Sequence, residues 1–167
     1  KALLFKHFAD VDAVPVVLDI HEPEQIIATI KAIAPSFGAI NLEDIAAPKC
    51  FEIEERLKAE LDIPVFHDDQ HGTAVVVLAG LINAAKLTGR SLANCKFVVI
   101  GAGAAGTAII KLLHLYGARN IVAVDSRGIV GASRTDLNAE KTALLEYVDA
   151  SQAGSIEDAI TDADVFI

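Results

Sequence analysis

Basic residues are in short supply in this chain. It carries 14 Lys and Arg against 23 Asp and Glu, a formal net charge of −9. That balance argues against nucleic acid and against anionic membrane surfaces as partners. Cysteine is scarcer still. Cys50 and Cys95 are the only two, which excludes a disulfide framework and any metal-finger spacing. Both read as small buried apolar residues of a reducing compartment, so a cytoplasmic protein is expected. No stretch of the sequence reads as a signal peptide, and the longest apolar runs are interrupted by Gly, Asn or Lys before they reach the length of a bilayer. Low-complexity tracts and internal repeats are also missing. What remains is 167 residues, 53% hydrophobic and 22% charged. That is enough for one large or two small domains with a real core.

The most informative stretch is Val98-Val99-Ile100-Gly101-Ala102-Gly103-Ala104-Ala105-Gly106. A short apolar run stops at a glycine turn, and Ala104 to Leu115 then reads as a helix. In such a strand–turn–helix unit, Gly101 suits the sharp turn, Gly103 leaves room for phosphates, and Gly106 lets the helix pack closely. Phosphates would face the free N–H groups of the helix start. A second buried strand, Asn120 to Asp125, ends in an acid roughly 20 residues beyond the last glycine, where a carboxylate can accept from an adenosine ribose hydroxyl. The bland alternative is a glycine-rich turn with no dinucleotide, and the agreement of glycines, helix and acid argues against it.

Taken in order, Ala13 to Asp19 reads as a buried strand, β-branched and apolar. Glu22-Pro23-Glu24 opens a helix whose apolar face is Ile26, Ile27, Ile30 and Ile33. Gly38 to Leu42 is a short strand delivering Glu43 and Asp44. Lys49 to Leu61 is an amphipathic helix whose Glu52, Glu54, Glu55, Arg56 and Lys58 read as a solvated face. Ile63 to Phe66 is another short strand, running into a polar loop, His67 to Gly72. Thr73 to Leu87 reads as a buried helix. Asn138 caps a helix from Ala139 to about Tyr147, Ser155 and Asp158 form a capping box, and a last strand follows. The chain opens at Lys1 without a lead-in and stops within that strand, so a segment of a longer protein is expected. Strands alternating with helices give an α/β fold with parallel, helix-covered sheets.

In such sheets ligands collect beyond the carboxyl ends of the strands. Each unusual polar cluster falls at such an end. Glu43, Asp44 and one of Asp68 or Asp69 can converge on Mg²⁺ or Mn²⁺, which favour carboxylate oxygens. Taken alone, each acidic pair is more often a cap for the helix that follows it. Crowded together beside a dinucleotide turn, the four acids favour a cation. His67 and His71 have the spacing of a zinc pair on a helix, but they sit in an apparent loop with no third ligand.

Four segments carry a family resemblance: Gly38 to Pro48, Phe66-His67-Asp68-Asp69-Gln70-His71-Gly72-Thr73, the Gly101 turn, and Val124-Asp125-Ser126-Arg127-Gly128. Together they resemble bacterial malic enzyme, and the resemblance runs from Lys1 to Ile167. It implies a Rossmann-type dinucleotide-binding domain at 71–167, cut short at its end, preceded at 1–70 by part of a malic-type substrate and metal domain. It also implies oxidative decarboxylation of L-malate to pyruvate with NAD⁺ or NADP⁺ and Mn²⁺ or Mg²⁺, in a homodimer. The family's metal carboxylates fall on Glu43, Asp44 and Asp69. Its catalytic lysine falls on Lys1, and the acid paired with that lysine on Asp68. Coenzyme residues fall on Gly101, Ala102, Gly103, Ala104, Ala105 and Gly106, with Asp125, Ser126 and Arg127 at the ribose end. The family's acid tyrosine would precede Lys1, and neither Tyr116 nor Tyr147 matches it. The family's substrate-binding asparagines would follow Ile167.

A lysine that takes the malate C2 hydroxyl proton must first be neutral, so burial or a nearby cation has to lower its pKa from about 10.4. Asp125 favours NAD⁺ by repelling a 2′-phosphate, which Arg127 could offset. A malolactic-type lyase with bound NAD and Mn²⁺ would share all these residues. A dinucleotide-sensing module without chemistry would leave Glu43, Asp44 and Asp69 unexplained.

Overall fold

A computed structural model describes all residues from Lys1 to Ile167. The elements, in chain order, are α1 (Ala2–Ala9), α2 (Pro23–Ile33), β1 (Ile40–Leu42), α3 (Lys49–Glu60), β2 (Val65–His67), α4 (Asp68–Thr88), β3 (Lys96–Ile100), α5 (Ala104–Tyr116), β4 (Asn120–Asp125), β5 (Gly128–Ile129), α6 (Ala139–Leu144), α7 (Ile156–Ile160) and β6 (Val165–Phe166). They form two sheets. β1 and β2 make a parallel pair, and the larger sheet has the order β5-β4-β3-β6. β3 pairs in parallel with β4 and β6, whereas β5 returns antiparallel along β4. That antiparallel edge departs from the all-parallel expectation. Its cause is a tight turn after Asp125 that leaves Gly128 at φ 108°, a backbone conformation glycine adopts without penalty.

β3 is buried on both faces. Phe97 and Val99 join one core with α4, α5 and β4, while Val98 faces a second core with Val122, Val124, Ile129 and Ala159. Alternate side chains of one strand therefore serve two layers. A third core joins α2 and α3 to the small sheet through Ile26, Ile27, Ile30, Leu42, Ile53, Leu57 and Val65.

Several expectations need correcting. No strand forms over 13–19, where Val14, Val16 and Val17 are exposed. β-branched residues need a neighbouring strand to pair with, and Pro15 lacks the N–H to donate. α1 is a helix beyond those expected, and none of its residues is buried. α4 begins five residues before Thr73, so Asp68 to Gly72 form its first turns rather than a loop. It runs through Gly80, Asn83 and Lys86 and is long and apolar enough, by length and composition alone, to cross a membrane. Nor is it buried all round. Ala74, Val77, Leu78, Leu81, Ile82 and Ala85 pack on the main core, a stripe at helical spacing, while Val75, Val76 and Leu87 are exposed. The remaining expected helices and strands form within a few residues of their expected bounds. They include the Asn138 cap and the Ser155–Asp158 capping box.

Candidate active site

The parallel register sets the geometry. Leu42 lies opposite His67, so Glu43 and Asp44 leave β1 at the same end at which Asp68 and Asp69 leave β2. Asp44 takes φ 58°, the left-handed region, which Asp tolerates better than most residues. Its N–H donates to the Asp69 carboxylate at 3.0 Å. Lys1 reaches into the same acidic end: its Nζ lies 2.5 Å from Asp68 Oδ2 and 3.1 Å from Glu43 Oε1. Hydrogen bonds first to Asp68 and then to Glu43 hold the Lys1 amine above its ordinary pKa. That is opposite to the shift a proton-accepting lysine requires. Asn41 Nδ2 donates to the other acid neighbour, Glu43, at 2.9 Å.

Glu43, Asp44 and Asp69 are thus brought to one end of the small sheet, but they are not drawn together. No three His, Cys, Asp or Glu side chains stand close enough to enclose a metal ion. The nearest cation is Lys1, and like charges otherwise spread apart. The donor set itself is all oxygen, which fits a hard divalent cation. His67 marks the spot from behind. It is fully buried, neither ring nitrogen has a hydrogen-bond partner, and its Nε2 lies 3.5 Å from Asp69 Oδ2, too far for a good hydrogen bond. The zinc-pair spacing comes to nothing here, since His71 turns instead to Glu54 at 2.7 Å.

Glu54 is the residue that composition concealed. Expected on a solvated face, it is buried and sits with Cys50, Ile53 and Leu57 on the inner face of α3. Those positions have the i, i+3, i+4, i+7 spacing of a helix face, the signal that could have found it. Its carboxylate accepts from the His67 N–H at 3.3 Å, from Gln70 Nε2 at 3.1 Å and from His71, and it pairs with Lys58 at 2.7 Å. Burial pushes its pKa up, but the bonds from Lys58 and His71 outweigh that and hold it below the ordinary carboxylate value. Gly72 packs directly against Asp68. A Cβ there would lie 2.2 Å from Asp68 Oδ1, so any larger residue would make the Asp68 carboxylate turn away from its present position.

The glycine turn forms as expected. Gly101 takes φ 105° and its N–H donates to Val124 O at 2.8 Å. Gly103 precedes α5 with open space beside it. At Gly106 a Cβ would come within 1.7 Å of Gly101 O, so helix and turn can touch only because it is glycine. Ala102 completes the turn, and Ala104 and Ala105 form the first turn of α5, leaving its N–H groups unbonded within the helix. Across the strand ends, the Asp125 carboxylate is already paired within the chain. It accepts from Arg127 N–H at 2.9 Å, Arg134 Nη1 at 2.7 Å and Lys141 Nζ at 2.5 Å. Burial raises its pKa, and the bonds from Arg134, Lys141 and the Arg127 N–H overcome that to leave it at about 2. Ser126 lies in the turn, and the Arg127 guanidinium goes to Asp136 at 2.7 Å. Neither Arg134 nor Lys141 was foreseen here, because they lie on the segments after β5.

Residues 70–165 match the family described as "Malic enzyme, NAD binding domain", and residues 1–58 match "Malic enzyme, N-terminal domain". The chain belongs to the malic enzyme family. Over its whole length it is 55% identical to a bifunctional malic/malolactic enzyme of Bacillus subtilis and 47% identical to an NADP-dependent malic enzyme of Halomonas elongata. It spans 41% and 39% of those two proteins. The crystal structure of the NAD-dependent malic enzyme of Thermotoga maritima superposes with a TM-score of 0.94 over 99% of this chain and 45% of that one, at 50% identity. Relatives within the malic enzyme family thus differ in coenzyme.

Proposed function

We propose that the protein carrying this chain oxidises L-malate with NAD(P)⁺ and decarboxylates the product to pyruvate and CO₂. The single observation behind this reading is the meeting of Lys1, Glu43 and Asp68 at the end of the small sheet, beside the Asp44–Asp69 link. Glu43, Asp44 and Asp69 are the residues that would hold Mn²⁺ or Mg²⁺. A bound cation there would acidify the malate C2 hydroxyl and stabilise negative charge on that oxygen.

Lys1 would accept the C2 hydroxyl proton at Nζ as hydride leaves C2 for the nicotinamide. Its bonds to Asp68 and Glu43 hold its pKa up, so that role requires those contacts to loosen when substrate arrives and a cation held by the neighbouring acids to bring the pKa down. Asp68 orients the amine between turnovers. Gly101 to Gly106 would cradle the coenzyme pyrophosphate against the start of α5. Asp125, already bonded to two cations, is a poor barrier to a 2′-phosphate, so both NAD⁺ and NADP⁺ are included.

The same reading divides the chain at 70/71 into a substrate and metal unit and a coenzyme unit. It also takes the protein to be a cytoplasmic homodimer, which the free, buried Cys50 and Cys95 and the exposed apolar side of α4 support. A malolactic lyase is the second reading, favoured by the bifunctional relative at 55% identity. Product analysis with the full-length protein separates them. Pyruvate and CO₂ with net coenzyme reduction supports the first, lactate without reduction the second. No turnover with either coenzyme leaves only a sensing module.

A further inference from the structure

We propose that Glu54 is a positioning residue for the acidic end of the site, holding from α3 the backbone turn from which Asp68 and Asp69 project. The inference rests on the divalent-cation reading of those acids. Its basis is where the Glu54 bonds land. They go to the His67 N–H and to the side chains of Gln70 and His71, the residues on either side of Asp68 and Asp69. The two acids are the part of the junction that Glu54 does not grip, and they face outward to Lys1 and to the Asp44 N–H. The anchor is itself rigid, because Cys50, Ile53 and Leu57 beside it are fully buried.

A carboxylate at such a position is costly to bury unless every oxygen is paired. Here both are: Oε1 meets the His67 N–H and Lys58, and Oε2 meets Gln70, while His71 Nε2 lies within 2.9 Å of each. The His67 N–H, Gln70 and Lys58 are donors, and His71 donates in the tautomer protonated at Nε2, so the junction needs an acceptor with two oxygens. Groups that orient metal-binding side chains from behind typically contribute ten- to a hundredfold in metal affinity. Glu54→Gln keeps the shape but turns an NH₂ toward a donor, leaving one of those bonds unmade and the turn free to drift.

The test is Mn²⁺ binding to the full-length protein without malate, followed by the electron paramagnetic resonance of free Mn²⁺. NADH binding, followed by fluorescence, reports on the glycine turn, which Glu54 does not contact. Glu54→Gln is expected to raise the Mn²⁺ Kd by about tenfold and to leave the NADH Kd unchanged. Glu54→Asp, which restores the charge, is expected to recover part of the loss. If Glu54→Gln does not fold, His71→Phe removes one donor, keeps the ring, and is expected to weaken Mn²⁺ binding in the same selective way. Wild-type Mn²⁺ affinity in Glu54→Gln, or equal losses for Mn²⁺ and NADH, overturns the positioning role while the cation reading stands. No Mn²⁺ binding by the wild type overturns both.

Discussion

Lys1 Nζ donates to Asp68 Oδ2 at 2.5 Å across a sequence separation of 67 residues. That bond closes the acidic end of the small sheet, because Lys1 meets Glu43 at the same time. The role proposed for Lys1 is on substrate and not on the fold. Lys1→Ala is therefore expected to lower kcat by about 10² to 10⁴, the usual contribution of a general base. NADH affinity should stay at the wild-type value. A variant that loses NADH binding together with kcat would mark Lys1 as structural.

Gly106 has no room to change. Its absent Cβ would lie within 1.7 Å of the Gly101 carbonyl oxygen, a backbone atom that cannot swing aside. Gly106→Ala is expected to cost about 1–3 kcal/mol as helix and turn are forced apart, and to weaken NADH binding at the turn. Gly103→Ala meets nothing within the protein, so any loss there comes from the coenzyme alone. Thermal melts and NADH fluorescence on the two variants together separate packing from phosphate access.

Asp125 gives a pH signature. Its folded pKa is depressed to about 2 from 3.8, so its bonds to Arg134 and Lys141 stabilise the fold above the unfolded pKa. That contribution is lost as pH falls from about 4 toward 2, as the carboxylate takes up a proton. Asp125→Asn should thus melt well below wild type at pH 7, by about 2 kcal/mol, with the gap closing at the acid end. A gap independent of pH would show that the acid contributes packing rather than charge.

The sequence made some of this legible and concealed the rest. β4 ran from Asn120 to Asp125 as expected because its apolar run is bounded by polar residues, and the glycine turn announced itself through spacing. The 13–19 segment misled because a β-branched run says what suits a strand, not whether a partner strand is present. Glu54 was hidden among Glu52 and Glu55, although its phase with Cys50, Ile53 and Leu57 gave it away. The pairing of Asp125 with Arg134 and Lys141 depends on how the segment after β5 folds back, which no local pattern records.

Cation binding should also register in stability. With Mn²⁺ at a hundred times its Kd, the folded protein gains about 2.7 kcal/mol, and chelator should reverse the rise in melting temperature. Asp69→Ala is expected to abolish that rise. A shift that survives in Asp69→Ala would move the cation site elsewhere.

The most direct measurement compares wild-type and Asp69→Ala full-length protein for NAD(P)H formed on adding L-malate with Mn²⁺, then with chelator. Malate-dependent reduction by the wild type is expected, with matching pyruvate, lost on chelation. In Asp69→Ala none is expected, with NADH binding intact. Reduction that ignores the chelator, or that proceeds equally in Asp69→Ala, would contradict that expectation.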